Sequence, residues 1–124
     1  MPNLFIMNLL QAGVSVNYIH IADVQTIQIA EIISRCLAEG VETVQPTEAA
    51  QEAWVSEIRE SLKARAGSPD TCTPGHYNQE GQPLEGTQLN GAYAKGPIAY
   101  IGLLEKWRED GSMPGLEMVK ESDT

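Results

Sequence analysis

The chain has 124 residues, 42% of them apolar, and its 17 acidic and eight basic side chains give a formal net charge of −9. This length fits one domain, and this charge argues against a nucleic-acid-binding protein, which would need clustered Lys and Arg to displace counterions from phosphates. No apolar run is long enough to predict a membrane-spanning helix, and two cysteines are too few for a disulfide framework, so we expect a cytoplasmic protein.

The N-terminal part of the chain is predicted to form a strand, a turn and a long helix. Residues 2–7, PNLFIM, are a short apolar run that predicts a buried strand, which must pair with another part of the fold. A glycine-containing turn follows over 8–18. From about Ile19 to Glu39 a wide apolar arc predicts a helix packed on more than one side and ended by Gly40. The polar stripe beside this arc consists of Gln28, Glu31, Arg35 and Glu39.

A short strand and a second helix are predicted next. Residues 41–45 alternate like a strand. Thr47 is the expected N-cap of the helix that follows, in which apolar residues recur every four positions from Ala50 to Leu62. Gly67 is expected to close this helix.

The last part of the chain combines a long irregular stretch with a third helix. Residues 67–96 have no periodicity and are rich in Gly and Pro, and connections this long usually serve a site or cover a surface. Pro97 begins the third helix, Gly111 ends it, and residues 116–119 predict a final short strand. Aromatic residues in these regions are interpreted as core and lid packing: Trp54, Tyr77, Tyr93, Tyr100 and Trp107.

Neither a phosphate-binding loop nor a metal site is predicted. The evenly spaced glycines between 81 and 96 are not followed by Lys and then Ser or Thr, and G-x-G-x-x-G does not occur. Cys72 and His76 have a spacing that metal ligands use, but a closed zinc site needs four ligands, and Cys36 lies in the apolar arc. No nucleophile has an evident orienting partner, so no catalytic residue is assigned.

Three stretches of the chain resemble one family. PNLFIM followed by QAGVSVNYIHIADVQ resembles the C-terminal stretch of flavin-dependent monooxygenases of the Baeyer–Villiger and flavin-containing types. CTPGHYNQEG, at 72–81, resembles the motif C-T-P-G-Y-Y-N-N-E-G of one microbial branch. The stretch NGAYAKGPIAYIGLLEKWREDGSMPGLE, from Asn90, is similar to the ending of that branch. PNLF alone is a weak signal, whereas all three in this order are fairly specific.

The resemblance implies an α/β flavoprotein with two dinucleotide-binding domains, of which this chain is a mainly α fragment with a few short strands and a long irregular loop. Residues 1–66 would end the FAD-binding domain, 67–96 would be a loop over a partner surface, and 97–124 a C-terminal helix and short strand. Complete members use FAD, NADPH and O2 to oxidise a ketone or heteroatom substrate. We therefore expect a truncated chain that retains no cofactor and is inactive alone.

The resemblance also implies a flavin contact. In this family the turn after the PNLF strand brings a helix N-terminus to the isoalloxazine ring, where backbone N–H groups and the positive helix end stabilise negative charge. By position, the contacting residues here are Gln11, Asn17, Tyr18 and Ile19. Many members have a Gly-Pro turn where this chain has LLQA, and no arginine of the Baeyer–Villiger catalytic type lies near the ring position.

Two other interpretations remain open from the sequence. An acidic, α-rich interaction module could bind a partner, such as a full-length paralogue, through its Trp-bearing faces and without catalysis. A non-functional translation product is the third interpretation.

Overall fold

The computed structural model describes residues 1–13, 17–64 and 92–120. In these ranges the chain is mainly helical with two short strands, as predicted. The predicted helix end at Gly67, the irregular stretch as far as residue 91 and the CTPGHYNQEG motif lie outside the described residues. The elements are α1 (Tyr18–Glu39), β1 (Val41–Pro46), α2 (Glu48–Ala64), α3 (Pro97–Asp110) and β2 (Leu116–Lys120).

Local signals decide where the helices begin and end, and the predicted boundaries are confirmed there. Gly40 takes a left-handed conformation with φ 67°, and its N–H bonds to carbonyls of the last turn of α1. The Thr47 hydroxyl accepts the N–H of Ala50 at 3.2 Å, as expected of an N-cap. Pro97 begins α3, and Gly111, with φ 76°, ends it.

The two strands form an antiparallel ribbon that packs on the C-terminal half of α1. Val44 lies opposite Met118 in this ribbon. Val44 is buried together with Ile32 and Cys36 of α1. A two-stranded ribbon is marginally stable alone, so its packing on the helix is what stabilises it. The partly buried side chains around this cluster are Phe5, Val41, Trp107, Leu116 and Met118.

The strand predicted at residues 2–7 is wrong for the chain as the structure describes it. Only Asn3 joins the ribbon: its N–H donates to the Val44 carbonyl at 2.9 Å, and its side-chain oxygen accepts the N–H of Val44 at 2.9 Å. The side-chain nitrogen of Asn3 also donates to the carbonyl of Glu42 at 3.0 Å. Asn3 has a φ of 58°, which turns the following residues away from β1. Residues 4–7 consequently pair with neither of the two described strands.

A second cluster, where α1, α2 and α3 meet, forms the larger part of the core. Ile21 and Ile58 are fully buried. The Trp54 and Tyr93 rings stack at 5.4 Å with an interplanar angle of 17°, which confirms that these aromatic residues serve packing. The whole cluster consists of Ala12, Ile21, Ile58, Tyr93 and Tyr100, with Trp54 and Leu104 packed against it.

Gly13 allows the chain before α1 to approach the first turn of α3. A Cβ at this position would stand 2.7 Å from the Pro97 Cα and 2.9 Å from the Tyr100 Cβ, both below van der Waals contact. Because the Pro97 atom belongs to the backbone, it could not move aside without displacing the helix. The backbone approach therefore requires glycine.

The polar stripe of α1 faces α3 rather than only solvent. The Arg35 guanidinium donates to the carbonyls of Gly111 at 2.6 Å and Arg108 at 3.0 Å, which are carbonyls that the end of α3 leaves without helical partners. Glu31 holds the same guanidinium at 2.7 Å. In return, Arg108 donates to the side chain of Gln28 at 2.9 Å. These contacts fix the C-terminal end of α3 against the C-terminal half of α1.

Replacement of Arg35 by Ala should lower the free energy of unfolding by about 1–2 kcal/mol, because two carbonyls at the end of α3 lose a charged donor. The Arg35 side chain is only 25% exposed, so solvent screens these bonds incompletely. Arg59→Ala, on the exposed surface of α2, is the control and should change stability by less than about 0.5 kcal/mol. Chemical denaturation measures both, and equal effects would contradict a clamping role for Arg35.

Gly13→Ala should destabilise the chain by about 1–3 kcal/mol, since its methyl group would overlap the backbone of Pro97. Gly102→Ala is the matched control. Gly102 lies inside α3 with no atom within 4 Å of an added Cβ, so Ala there should stabilise by about 0.5–1 kcal/mol through helix propensity. Opposite shifts in thermal melting temperature are expected, and a neutral Gly13→Ala would show that the approach is not tight.

Candidate functional site

The N-terminus of α1 has no side-chain cap among the residues that the structure describes. Asn17 occupies the N-cap position with an extended backbone, φ −113° and ψ 95°, and its side chain makes no capping hydrogen bond to the helix. No acidic residue lies in the first turn. The first N–H groups of any α-helix lack helical acceptors and carry the positive end of the helix dipole. This end can therefore accept an anion or an electron-rich carbonyl edge.

Two apolar side chains stand exposed in the first turn of α1. Tyr18 is 48% exposed and Ile19 is 77% exposed, whereas Ile21, two positions on, is fully buried. Neither exposed residue belongs to the two buried clusters. An aromatic ring bound at this helix end would contact these apolar side chains as well as the backbone N–H groups.

The turn before α1 is held by hydrogen bonds from both sides. The Asn8 side chain accepts the N–H of Leu10 at 2.9 Å, and the Ala12 N–H donates to the Leu9 carbonyl at 3.3 Å. The N–H of Tyr93 donates to the carbonyl of Ala12 at 2.9 Å. Gln11 has a φ of 58°, a left-handed conformation that non-glycine residues adopt at a cost. The LLQA sequence thus makes a tight turn without glycine or proline.

A cleft of about 510 Å³ opens between this turn and the helices. Its polar lining includes Asn8, Gln11 and Gln25. Its volume lies in the range of small-molecule and cofactor sites. The lining residues are Ile6, Asn8, Leu10, Gln11, Ala12, Gln25, Trp54, Tyr100, Leu103 and Leu104.

Gln25 connects the turn, α1 and α3 at the wall of this cleft. Its side-chain nitrogen donates to the Asn8 carbonyl at 2.9 Å and lies 3.4 Å from the Tyr100 hydroxyl. Its side-chain oxygen is buried and has no hydrogen-bond partner in the part of the chain that the structure describes. The sequence analysis did not predict a role for Gln25. It is the polar member of a stripe of α1 that also contains Ile21, Ile32 and Cys36 at helical spacing.

The four residues predicted to contact a flavin fall into two places. Gln11 lines the cleft, while Asn17, Tyr18 and Ile19 form the start of α1 and do not line it. Residues 14–16 between them lie outside the described ranges. In the part of the chain that the structure describes, this helix end has no side-chain cap, exposed apolar side chains beside it and no acidic residue in its first turn. The flavin contact at these residues stays a prediction.

Cys36 behaves as a core residue and not as a reactive thiol. It is 7% exposed, and burial, with a smaller contribution from Glu39, raises the pKa of its thiol. Within the described ranges no three His, Cys, Asp or Glu side chains are grouped as metal ligands. Cys72 and His76 lie outside those ranges. None of the helices that the structure describes is long and apolar enough to cross a membrane.

Similar proteins fall into one enzyme family, although no model of a known protein family matches the chain. A FAD-binding monooxygenase of Hypomyces subiculosus is 39% identical over 116 residues, which cover 94% of this chain and 19% of that protein. A Baeyer–Villiger monooxygenase of Stachybotrys chlorohalonatus is 32% identical over 118 residues, with the same two coverages.

A solved structure shows the same relationship. The polycyclic ketone monooxygenase of Thermothelomyces thermophila superposes with a TM-score of 0.78 at 31% identity, over 96% of this chain and 19% of that one. The chain thus spans about one fifth of the length of the relatives it matches. By sequence and by fold, these 124 residues belong to the flavin-dependent monooxygenases of the Baeyer–Villiger type and correspond to one segment of such an enzyme.

Proposed function

We propose that this chain serves as the C-terminal part of a cytoplasmic FAD- and NADPH-dependent monooxygenase that inserts one oxygen atom of O2 into a ketone or heteroatom substrate. The observation that carries the proposal is the likeness of nearly the whole chain to segments of such enzymes, at 39% identity and a TM-score of 0.78. One of these relatives is named for a polycyclic ketone, which favours the ketone class. The chain alone would be inactive, because it contains no dinucleotide-binding fingerprint.

The contribution of this chain would be to bind and polarise one edge of the flavin. When bound, FAD supplies the electron transfer and oxygen chemistry of the reaction. The first N–H groups of α1, at Tyr18 and Ile19, would donate to the carbonyl edge of the isoalloxazine ring, where charge accumulates on reduction. The exposed side chains of Tyr18 and Ile19 would exclude water from that edge. Gln11 and Asn17 would position the backbone on either side of the turn.

The fold holds this helix end in place from two directions. The hydrogen bond from Tyr93 to Ala12 and the close approach of Gly13 to Pro97 tie the preceding turn to α3. Ile21, directly after the first turn, is fully buried among α2 and α3 side chains. Electrostatic stabilisation depends on such preorganisation, because donors that need not reorient cost nothing during the reaction.

A second candidate is an interaction module that associates with a full-length paralogue. The exposed apolar side chains favour it, since a working surface of this kind needs a partner. It requires no catalysis by this chain and no bound FAD.

A chimera tests the proposal. This chain would replace the matching segment of the polycyclic ketone monooxygenase, and the purified chimera should retain FAD, seen by its visible absorbance, and oxidise a ketone with NADPH. The same enzyme with the segment deleted is the control and should lose both properties. The 124-residue chain alone should remain colourless. A folded, colourless chimera would refute the assignment.

Within that chimera, Ile19→Asp should weaken FAD retention by about tenfold, because a carboxylate placed in the first turn of α1 repels the electron-rich flavin edge by roughly 1.4 kcal/mol. Ile98→Asp is the matched control. Ile98 is likewise the second residue of its helix and is 85% exposed, so both carboxylates meet the same helix dipole. Equal FAD titrations for the two variants would place the flavin elsewhere.

A further inference from the structure

Residues 8–12 form a turn whose shape does not follow from its own sequence. The segment NLLQA contains neither glycine nor proline, yet Gln11 takes a left-handed conformation with φ 58°. A residue other than glycine adopts such a conformation at a cost in free energy, and it persists only where the surrounding contacts impose it. The contacts around this turn therefore decide where Gln11 lies in the cleft.

Gln25 supplies a contact from α1 to the first residue of this turn. Its Nε2 donates to the Asn8 carbonyl at 2.9 Å, across 17 positions of the chain. The Asn8 side chain itself accepts the N–H of Leu10 at 2.9 Å, so Gln25 holds the residue that closes the turn. Because a carbonyl oxygen can only accept, the Gln25 atom beside it is the nitrogen, which fixes the orientation of the amide.

The other hydrogen-bonding capacity of the Gln25 amide is poorly used. Its Nε2 lies 3.4 Å from the Tyr100 hydroxyl, which is a long and weak hydrogen bond. Its Oε1 is buried without a partner among the described residues. Burial of an unpaired polar atom lowers the stability of a fold, and an apolar side chain of similar length would avoid that loss. The short bond to Asn8 is therefore the main contribution of this amide.

We propose that Gln25 is a positioning residue, which sets the turn of residues 8–12 through Asn8 and so places Gln11 against the flavin. This inference rests on the proposed function, in which Gln11 lies beside the cofactor. Gln25 acts through Asn8 and is not itself a predicted flavin contact. Its bond to Asn8 offsets the burial of its unpaired oxygen, so the amide contributes more to the geometry of the turn than to net stability.

A role in packing alone fits Gln25 less well. Ile21 and Ile32, at helical spacing from it on the same stripe of α1, are apolar and buried. Trp54 and Leu104 line the same cleft and present apolar surface there. An apolar side chain at position 25 would therefore complete this stripe without an unpaired oxygen.

Two replacements of similar length test the inference in the 124-residue chain. Gln25→Met removes both polar atoms, and Gln25→Glu turns a carboxylate oxygen towards the Asn8 carbonyl. By NMR, backbone order parameters of residues 8–12 should fall from about 0.85 to below about 0.6 in Gln25→Met, and further in Gln25→Glu at neutral pH. The melting temperature of Gln25→Met should stay within about 4 °C of the original, because the lost bond and the removed unpaired oxygen offset each other.

Gln28→Met is the matched control. Gln28 lies three positions further along α1, and its side chain accepts the Arg108 guanidinium at 2.9 Å, so this replacement also removes an amide hydrogen bond from the same helix. It should lower the melting temperature and leave the order parameters of residues 8–12 unchanged. An equally ordered turn in Gln25→Met, or a turn loosened as much in Gln28→Met, would overturn the inference.

FAD titration of the chimera described above completes the test. There Gln25→Met should weaken FAD binding by about tenfold, whereas Gln28→Met should leave it unchanged. An original chimera that binds no FAD would refute the proposed function, and the flavin contact with it, whatever the state of the turn. An original chimera that binds FAD, with Gln25→Met binding it equally well, would refute the positioning role and leave the function standing.

Discussion

Helix α1 carries apolar side chains on two opposite sides, and this constraint governs the rest of the structure. The side that bears Ile21 and Ile32 is covered by α2, α3 and the β1–β2 ribbon. The side that bears Ile33 and Leu37 is covered by nothing in the described chain. Exposed apolar side chains are unfavourable in water, and a contiguous patch of them is typical of a contact surface.

The packing of α1 also fixes the orientation of its N-terminal end, where the flavin contact is proposed. Its N-terminal end is held by buried contacts, through Gly13 against α3 and through the bond from Tyr93 to Ala12. Its C-terminal half is held by the guanidinium of Arg35, which bonds to the far end of α3. A helix dipole is useful to a cofactor only if its direction is constant, and contacts at both ends of α3 keep it so. The candidate flavin contact is therefore a consequence of how α1 and α3 pack.

Helix boundaries with local signals and the two ribbon strands were predicted closely, whereas the strand predicted at residues 2–7 was not found in the described chain. Gly40 and Thr47 mark helix boundaries through bonds to residues a few positions away, and Pro97 and Gly111 do so through their own backbone preferences, so these positions could be predicted from local sequence. The segment 2–7 has the composition of a strand, but a strand also needs a neighbour to pair with, and composition does not supply one. Its prediction failed for this chain because Asn3 alone reaches β1.

The features of the candidate site likewise fall into those predicted from the sequence and those that only the structure shows. The sequence by itself determined that a helix begins near Ile19, that Cys36 belongs to an apolar arc, and that the motifs resemble one flavoprotein family, because periodicity, caps and motifs are properties of neighbouring residues. Only the tertiary structure decided that Gln25 joins Asn8 to Tyr100, that Arg35 caps α3, and that one side of α1 is covered while the other is bare. These facts depend on side chains far apart in the chain, whose meeting is set by packing in three dimensions.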